Sequence, residues 1–205
     1  GLRSLDLMLG VGGSAVYDMS DIFAGNCEPI RAIYPSPICS NVFVLPAPVS
    51  LDQLGTPEDL RRLCAGLARY YEYVLIDCPA GIGRGFRGAV AGAERALVVT
   101  TPDMVCARDA QIVSRLLEDT HIPSRLIINR LRPAPVLAGK MPDVDEIIDT
   151  AGLQLLGILP EDEAVAVANA NGRPLPSDCN AAACFGNIAR RFLGEEVPLA
   201  RLEKM

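Results

Sequence analysis

The run Ala96-Leu-Val-Val-Thr100 is apolar in the middle and has no polar side to offer water. A strand with one wet face alternates apolar and polar residues; a strand apolar on both faces belongs in a parallel sheet covered on both sides. Four further segments read the same way: Asn41-Val-Phe-Val-Leu45, Tyr73-Val-Leu-Ile-Asp77, Arg125-Leu-Ile-Ile-Asn129 and Gln154-Leu-Leu-Gly-Ile-Leu159. Between them lie stretches with helical spacing, at 15–23, 85–92, 107–118, 144–151, 163–170 and 180–193. One more helix is announced by Thr56-Pro57-Glu58-Asp59, which offers an N-cap, a proline at the first helical position and acids in the first turn. Its apolar face is Leu60, Leu63, Cys64 and Leu67. Residues 132–142 are proline-rich and read as a connector, and Leu5-Asp-Leu-Met-Leu9 is a short apolar run. Alternation of this kind predicts an α/β fold: three layers, doubly wound, around a mostly parallel sheet.

No repeat, low-complexity tract or linker divides the 205 residues, so the expectation is one domain spanning 1–205. The net charge of -6, without clustered Lys and Arg, argues against a nucleic-acid binder. Seven cysteines occur without a Cys-x-x-Cys pair, and His121 is the single histidine, which disfavours a zinc site. Cys78 and Cys106 read as small core residues. A reducing cytosol is the simplest compartment for such a set. No run of about eighteen apolar residues is present to span a membrane.

In a parallel sheet, right-handed crossovers bring the carboxyl ends of the strands to one edge, where ligands collect. Four ends carry polar, turn-forming groups: Asp77-Cys-Pro-Ala-Gly81, Thr100-Thr-Pro-Asp103, Asn129-Arg130 and Pro160-Glu-Asp162. Asp77 is placed to orient a metal-bound water, and Gly81 lets backbone N–H groups approach a phosphate. Asn129 is suited to a base edge and equally to a turn. Asp162 is suited to closing a ligand loop and more readily to capping the following helix.

The same residues resemble the septum-site-determining ATPases of the deviant-Walker ParA/MinD family. The matching segments follow the family's order: Gly1-Leu-Arg-Ser-Leu-Asp6, Tyr17-Asp18, Leu45-Pro-Ala47, Val74-Leu-Ile-Asp77-Cys-Pro-Ala-Gly81-Ile, Thr100-Thr-Pro, Arg108-Asp109, Ile128-Asn-Arg130, Gly157-Ile-Leu-Pro-Glu-Asp162 and Gly194-Glu-Glu-Val-Pro-Leu199. Each is weak alone; together and in order they cover nearly the whole chain.

The resemblance implies a P-loop NTPase fold of the SIMIBI class that dimerises around ATP and Mg²⁺. It implies Min-system partners (MinC, MinE or equivalents) and a cytoplasmic protein that visits the inner face of the cell membrane reversibly. It makes Asp77 the Walker-B-like acid that holds Mg²⁺ through water, and places Gly81 in the second switch. Asn129 and Arg130 fall near the adenine, Pro160 to Asp162 over the base, and Arg108 and Asp109 at the dimer and partner surface. Ser4 occupies a first-switch position that is usually Asn.

Three departures accompany the resemblance. No Lys-Gly-Gly-x-Gly-Lys-Thr loop occurs in the 205 residues, so the expectation is a chain lacking the first strand and its phosphate loop, and inactive alone. Ser4 reaches less far than Asn. The terminal Leu199-Ala-Arg-Leu-Glu-Lys-Met205 is too short and too weakly basic for a membrane-surface helix. A flagellar-placement or chromosome-partition ATPase of the same superfamily, or a scaffold that does not hydrolyse nucleotide, remain alternatives at this point. An absent central strand would also leave unpaired edges and open apolar faces in the sheet.

Overall fold

A computed structural model describes residues 4–200, apart from the side chains of Ser4 and Leu51. It resolves two compact units, Gly1–Ala93 with Ala168–Pro174, and Glu94–Val167 with Leu175–Met205.

The first unit begins with α1 (Ser4–Met8), so the apolar run at 5–9 is largely helical. Helix α2 covers only Met19–Phe23 rather than 15–23. The shortening has a visible cause. The Tyr34 hydroxyl accepts the backbone N–H groups of Val16 and Tyr17, at 2.9 and 2.8 Å, and donates to Tyr17 O. That holds the chain out of helical geometry until Asp18, whose carboxylate caps Ser20 N within a reciprocal capping box with Asp21.

The segment at 41–45 was expected as a buried parallel strand. Only β2 (Phe43–Val44) forms, paired antiparallel with β1 (Tyr34–Pro35), and Phe43 is exposed against the Tyr71 ring at 5.4 Å. Pro46 and Pro48 cannot donate to a ladder, which stops it there.

Helix α3 (Pro57–Leu67) starts as the sequence predicts, with Thr56 accepting from Asp59 N and Pro57 in the first turn. Helix α4 (Arg84–Gly92) packs on it through Gly88 and Gly92, which lie on one face at helical spacing. A methyl at Gly88 would meet Leu60 at 2.6 Å, and one at Gly92 would meet the Cys64 sulfur at 2.9 Å. The two helices therefore approach more closely than alanine would permit.

The run Tyr73-Val-Leu-Ile-Asp77 is not a strand, and this corrects the sequence prediction. It has no regular secondary structure, with Val74 and Ile76 half-buried and Leu75 86% exposed. Ile76 reaches toward Gly92 of α4, so one face is covered and the other is open. Strand character comes from the hydrogen-bonding neighbour, and no ladder partner for this run exists among the described residues. Cys78 is exposed rather than buried in a core.

The second unit is built on the parallel sheet that the sequence predicts. Strands β3 (Ala96–Thr100), β4 (Ser124–Leu131) and β5 (Leu155–Pro160) lie side by side in that order. Crossovers are α5 (Met104–Asp119) between β3 and β4, and α7 (Val144–Ala151) between β4 and β5. Gly152, at φ 67°, ends α7 in a left-handed turn. The proline-rich stretch at 132–142 holds a helix after all, α6 (Pro133–Leu137), because Pro133 supplies helical φ at the first position.

Helices α5 and α7 pack together on one side, with α5 against β3. After α8 (Glu163–Ala170), α9 (Asn180–Phe192) lies on β5. Ile127, Leu156, Leu159, Cys184 and Ile188 form a buried cluster there with Phe192 beside it. Leu126 and Ile128, on the opposite face of β4, are fully buried. β3 pairs only with β4 among the described residues, and its Leu97 and Val99 are exposed. Those two share a face with Ile127, because Val99 pairs with Ile127.

Candidate functional site

The carboxyl ends of β3, β4 and β5 converge at one edge of the second unit. At the end of β3, Thr101 donates its hydroxyl to Asp103 at 2.6 Å. Asp103 also accepts from Cys106 N at 2.9 Å and so caps α5. The Cys106 backbone N–H, helped by the Thr101 hydroxyl, holds the Asp103 carboxyl below its ordinary value.

Asn129 and Arg130 were expected to end their strand. They lie inside β4, which runs on to Leu131. The ladder slips between Ile128 and Leu131, and Arg130 sits at φ 58°, a left-handed conformation rare for a residue with a side chain. Two contacts hold that turn. Arg130 donates its own N–H to Asn129 Oδ1 at 2.9 Å. Its guanidinium grips Glu161 Oε1 through Nε and Nη2, at 3.3 and 2.8 Å. Arg132 approaches the other oxygen of Glu161 at 3.6 Å. The Arg130 hydrogen bonds lower the Glu161 pKa. Glu161 N donates to Leu131 O, which ties the β5 exit to the end of β4. With its oxygen taken by Arg130 N–H, Asn129 has its amide nitrogen left as the group able to meet a ligand acceptor.

Pro160 is buried and closes β5. Asp162 follows it with both carboxylate oxygens engaged. Oδ1 accepts from Ala164 N at 2.9 Å and Oδ2 from Ala181 N at 3.1 Å, so one side chain serves the N-termini of α8 and α9. Those two backbone donors, Ala181 first, lower its pKa. Arg108 and Asp109 are exposed on the outer side of α5, flanked by the buried Ala107 and Ala110.

Asp77 and Gly81 belong to the first unit, in the exposed loop that leads into α4. Gly81 has φ 86°, which side-chain-bearing residues rarely adopt, and no atom lies within 4 Å of where a Cβ would stand. The close approach of Gly85 to Pro79, where a methyl would fall 2.4 Å from the ring, folds the loop back on its helix. The Ser4 side chain and residues 1–3 lie outside the described residues. Sequence reasoning did not single out Glu161 or Arg132. The available signal was an acid directly after a buried apolar strand, facing two arginines after another.

No group of three or more His, Cys, Asp or Glu able to hold a metal occurs among the described residues. Asp77 offers one exposed carboxylate, a donor of the kind that reaches a hydrated Mg²⁺ through water.

Three parallel strands in the order β3-β4-β5, joined by helical crossovers and ending at one edge in polar turns, form an α/β sheet of the P-loop NTPase type. The chain matches the family described as "Cellulose biosynthesis protein BcsQ" over residues 50–190. It is 38% identical over 210 residues to the septum site-determining protein MinD of Bacillus subtilis, which covers 100% of this chain and 78% of the relative. It superposes on MinD in the MinC:MinD complex of Aquifex aeolicus with a TM-score of 0.89 at 32% identity, covering 98% of this chain and 82% of that one. On the MinD of Pyrococcus horikoshii complexed with Mg-ADP the TM-score is 0.80 at 26% identity, covering 93% and 78%. The chain belongs to the MinD-like cell-division ATPases of the ParA/MinD family.

Proposed function

We propose that this chain is the ATP-responsive part of a septum-placement system, dimerising on Mg·ATP and binding Min-system partners and the membrane surface from the cytoplasm. The observation that carries the reading is the Asp77–Gly81 loop. A carboxylate four residues before a glycine at φ 86° is what a Mg²⁺-water ligand followed by a phosphate-sensing backbone turn requires. Bound Mg²⁺ would neutralise charge on the phosphates; Asp77 would orient its water. Asn129 would donate to a base acceptor, with Arg130 and Pro160 framing the base. Asp162 would shape that loop from behind by capping both helices. Ser4 would stand at the first switch, and Arg108 and Asp109 at the dimer and partner surface. Identity near 38% across the whole chain to a septum-placement protein favours that role over chromosome partition or flagellar placement.

The 205 residues contain no Lys-Gly-Gly-x-Gly-Lys-Thr loop, and this polypeptide by itself is proposed not to hydrolyse ATP. The test compares it with a fusion carrying the phosphate-loop segment of a MinD relative ahead of Gly1. The 205-residue chain should be inactive, the fusion active, and Asp77→Ala in the fusion should cost about 100-fold or more in rate. Hydrolysis by the unfused chain, or full activity of the Asp77→Ala fusion, would refute the proposal.

A further inference from the structure

The last described segment is fastened to the sheet through one side chain. β4 and β5 slip in register: Leu126 pairs with Leu155 but Ile127 with Gly157, which leaves Leu156 as one residue too many on β5. The Leu156 carbonyl accepts from Arg191 Nη1 at 3.0 Å. The same guanidinium donates through Nε to Val197 O at 2.7 Å and through Nη2 to Pro198 O at 2.6 Å. Residues 194–200 turn back from α9 at Gly194, φ 91°, helped by Glu195 N donating to Arg190 O and by the exposed Arg190–Glu195 ion pair. Leu199 then lines a cleft of about 10 Å³ with Ile158, Cys184, Asn187 and Arg191. Gly157 is part of the arrangement, since a methyl there would press on Ile188 at 2.4 Å and on Arg191 Nη1 at 3.2 Å.

We propose that residues 194–200 are a releasable strap and that Arg191 is its latch. A planar fork with donors in three directions satisfies the bulged carbonyl of β5 and two strap carbonyls together. Few apolar contacts hold the strap otherwise: Val197 is half-buried and Leu199 is 49% exposed. A segment held this way opens locally at less free energy than the sheet. Docked, the strap covers the cleft; released, it uncovers Ile158 and Cys184 and strips the Leu156 carbonyl of its donor. The latch grips the strand that ends in Pro160, just before Glu161, so a displacement of β5 bears directly on the strap. This inference does not depend on nucleotide binding.

The experiment uses the 205-residue chain, a glutamate-specific protease cutting after Glu195 and Glu196, and mass-resolved alkylation of Cys184. In the wild type, strap cleavage should be about tenfold or more slower than in a synthetic peptide of residues 190–200, and Cys184 should label slowly. Arg191→Ala, and Arg191→Lys, which keeps the charge without the fork, should bring cleavage near the peptide rate and raise Cys184 labelling. Arg190→Gln should change both by about twofold or less, because an exposed ion pair contributes little. Leu199→Asp alters the strap alone and should raise Cys184 labelling even if Arg191→Ala fails to fold. Wild-type cleavage at the peptide rate, or Leu199→Asp with Cys184 as protected as in the wild type, would overturn the proposal.

Discussion

Replacing Gly157 with alanine tests the packing of α9 on β5 with a single methyl group. Its Cβ would stand 2.4 Å from Ile188 Cγ1, 3.0 Å from Cδ1 and 3.2 Å from Arg191 Nη1. Carbon atoms prefer about 3.5–4.0 Å, so the first overlap exceeds 1 Å or so. Ile188 is 7% exposed and belongs to a buried cluster, where close packing leaves little room to shift. Overpacking of this kind costs about 1–3 kcal/mol. Stiffening of the unfolded chain by Gly→Ala returns about 0.4–1 kcal/mol. The net expectation is a loss of about 1–2 kcal/mol, seen in urea denaturation as a lower midpoint with an unchanged slope. An Ile188→Ala background supplies the check, because it removes both Cγ1 and Cδ1. Alone it should cost about 2–5 kcal/mol, but in its presence Gly157→Ala should become neutral or stabilising. Equal cost of Gly157→Ala in both backgrounds, or stabilisation of the wild type by it, would refute the steric reasoning.

Gly186, in α9, has nothing within 4 Å of a built Cβ, so Gly186→Ala should stabilise by about 1 kcal/mol in the same denaturation assay. Thr56→Ala should remove the α3 cap and cost about 1 kcal/mol. Asp103 and Asp162 have folded pKa values below their ordinary 3.8, so the stability they contribute is present above that value and is lost as pH falls below it. The urea midpoint should therefore drop on acidification below about pH 4, and Asp162→Asn should flatten that limb. An Asp162→Asn profile parallel to the wild type would count against the capping role. Arg130→Gly should relieve a left-handed strain of about 1 kcal/mol while leaving Glu161 with Arg132 alone, so the urea midpoint should hardly fall although the turn loses its grip.

What could be read from the sequence was whatever is decided locally or by uniform burial. Ala96–Thr100 is apolar throughout and is the strand it promised to be. Thr56 and Gly152 mark helix ends because cap chemistry acts within one turn. Tyr73–Asp77 has the same apolar signature and is no strand, because pairing depends on a neighbour that its own residues do not encode. The short antiparallel pair of Tyr34–Pro35 with Phe43–Val44 was missed for the same reason. At the candidate site, Asn129, Arg130 and Asp162 could be named from their places after apolar runs. The clasp of Arg130 by Glu161 and the second cap of Asp162, on α9, arise from contacts 31 and 19 residues apart. No local pattern carries those.

The shared cap at Asp162 has an electrostatic consequence for that edge of the sheet. The N-terminus of a helix ordinarily attracts anions, since its unpaired N–H groups and dipole present partial positive charge. Here two such termini face a single carboxylate, which already lies between Ala164 N and Ala181 N. An incoming phosphate would find the donors occupied and a negative charge in front of them. An uncharged ring meets no such repulsion. Under the proposed function, the β5 exit would suit the neutral end of a nucleotide better than the charged end, whose positive field would have to lie elsewhere.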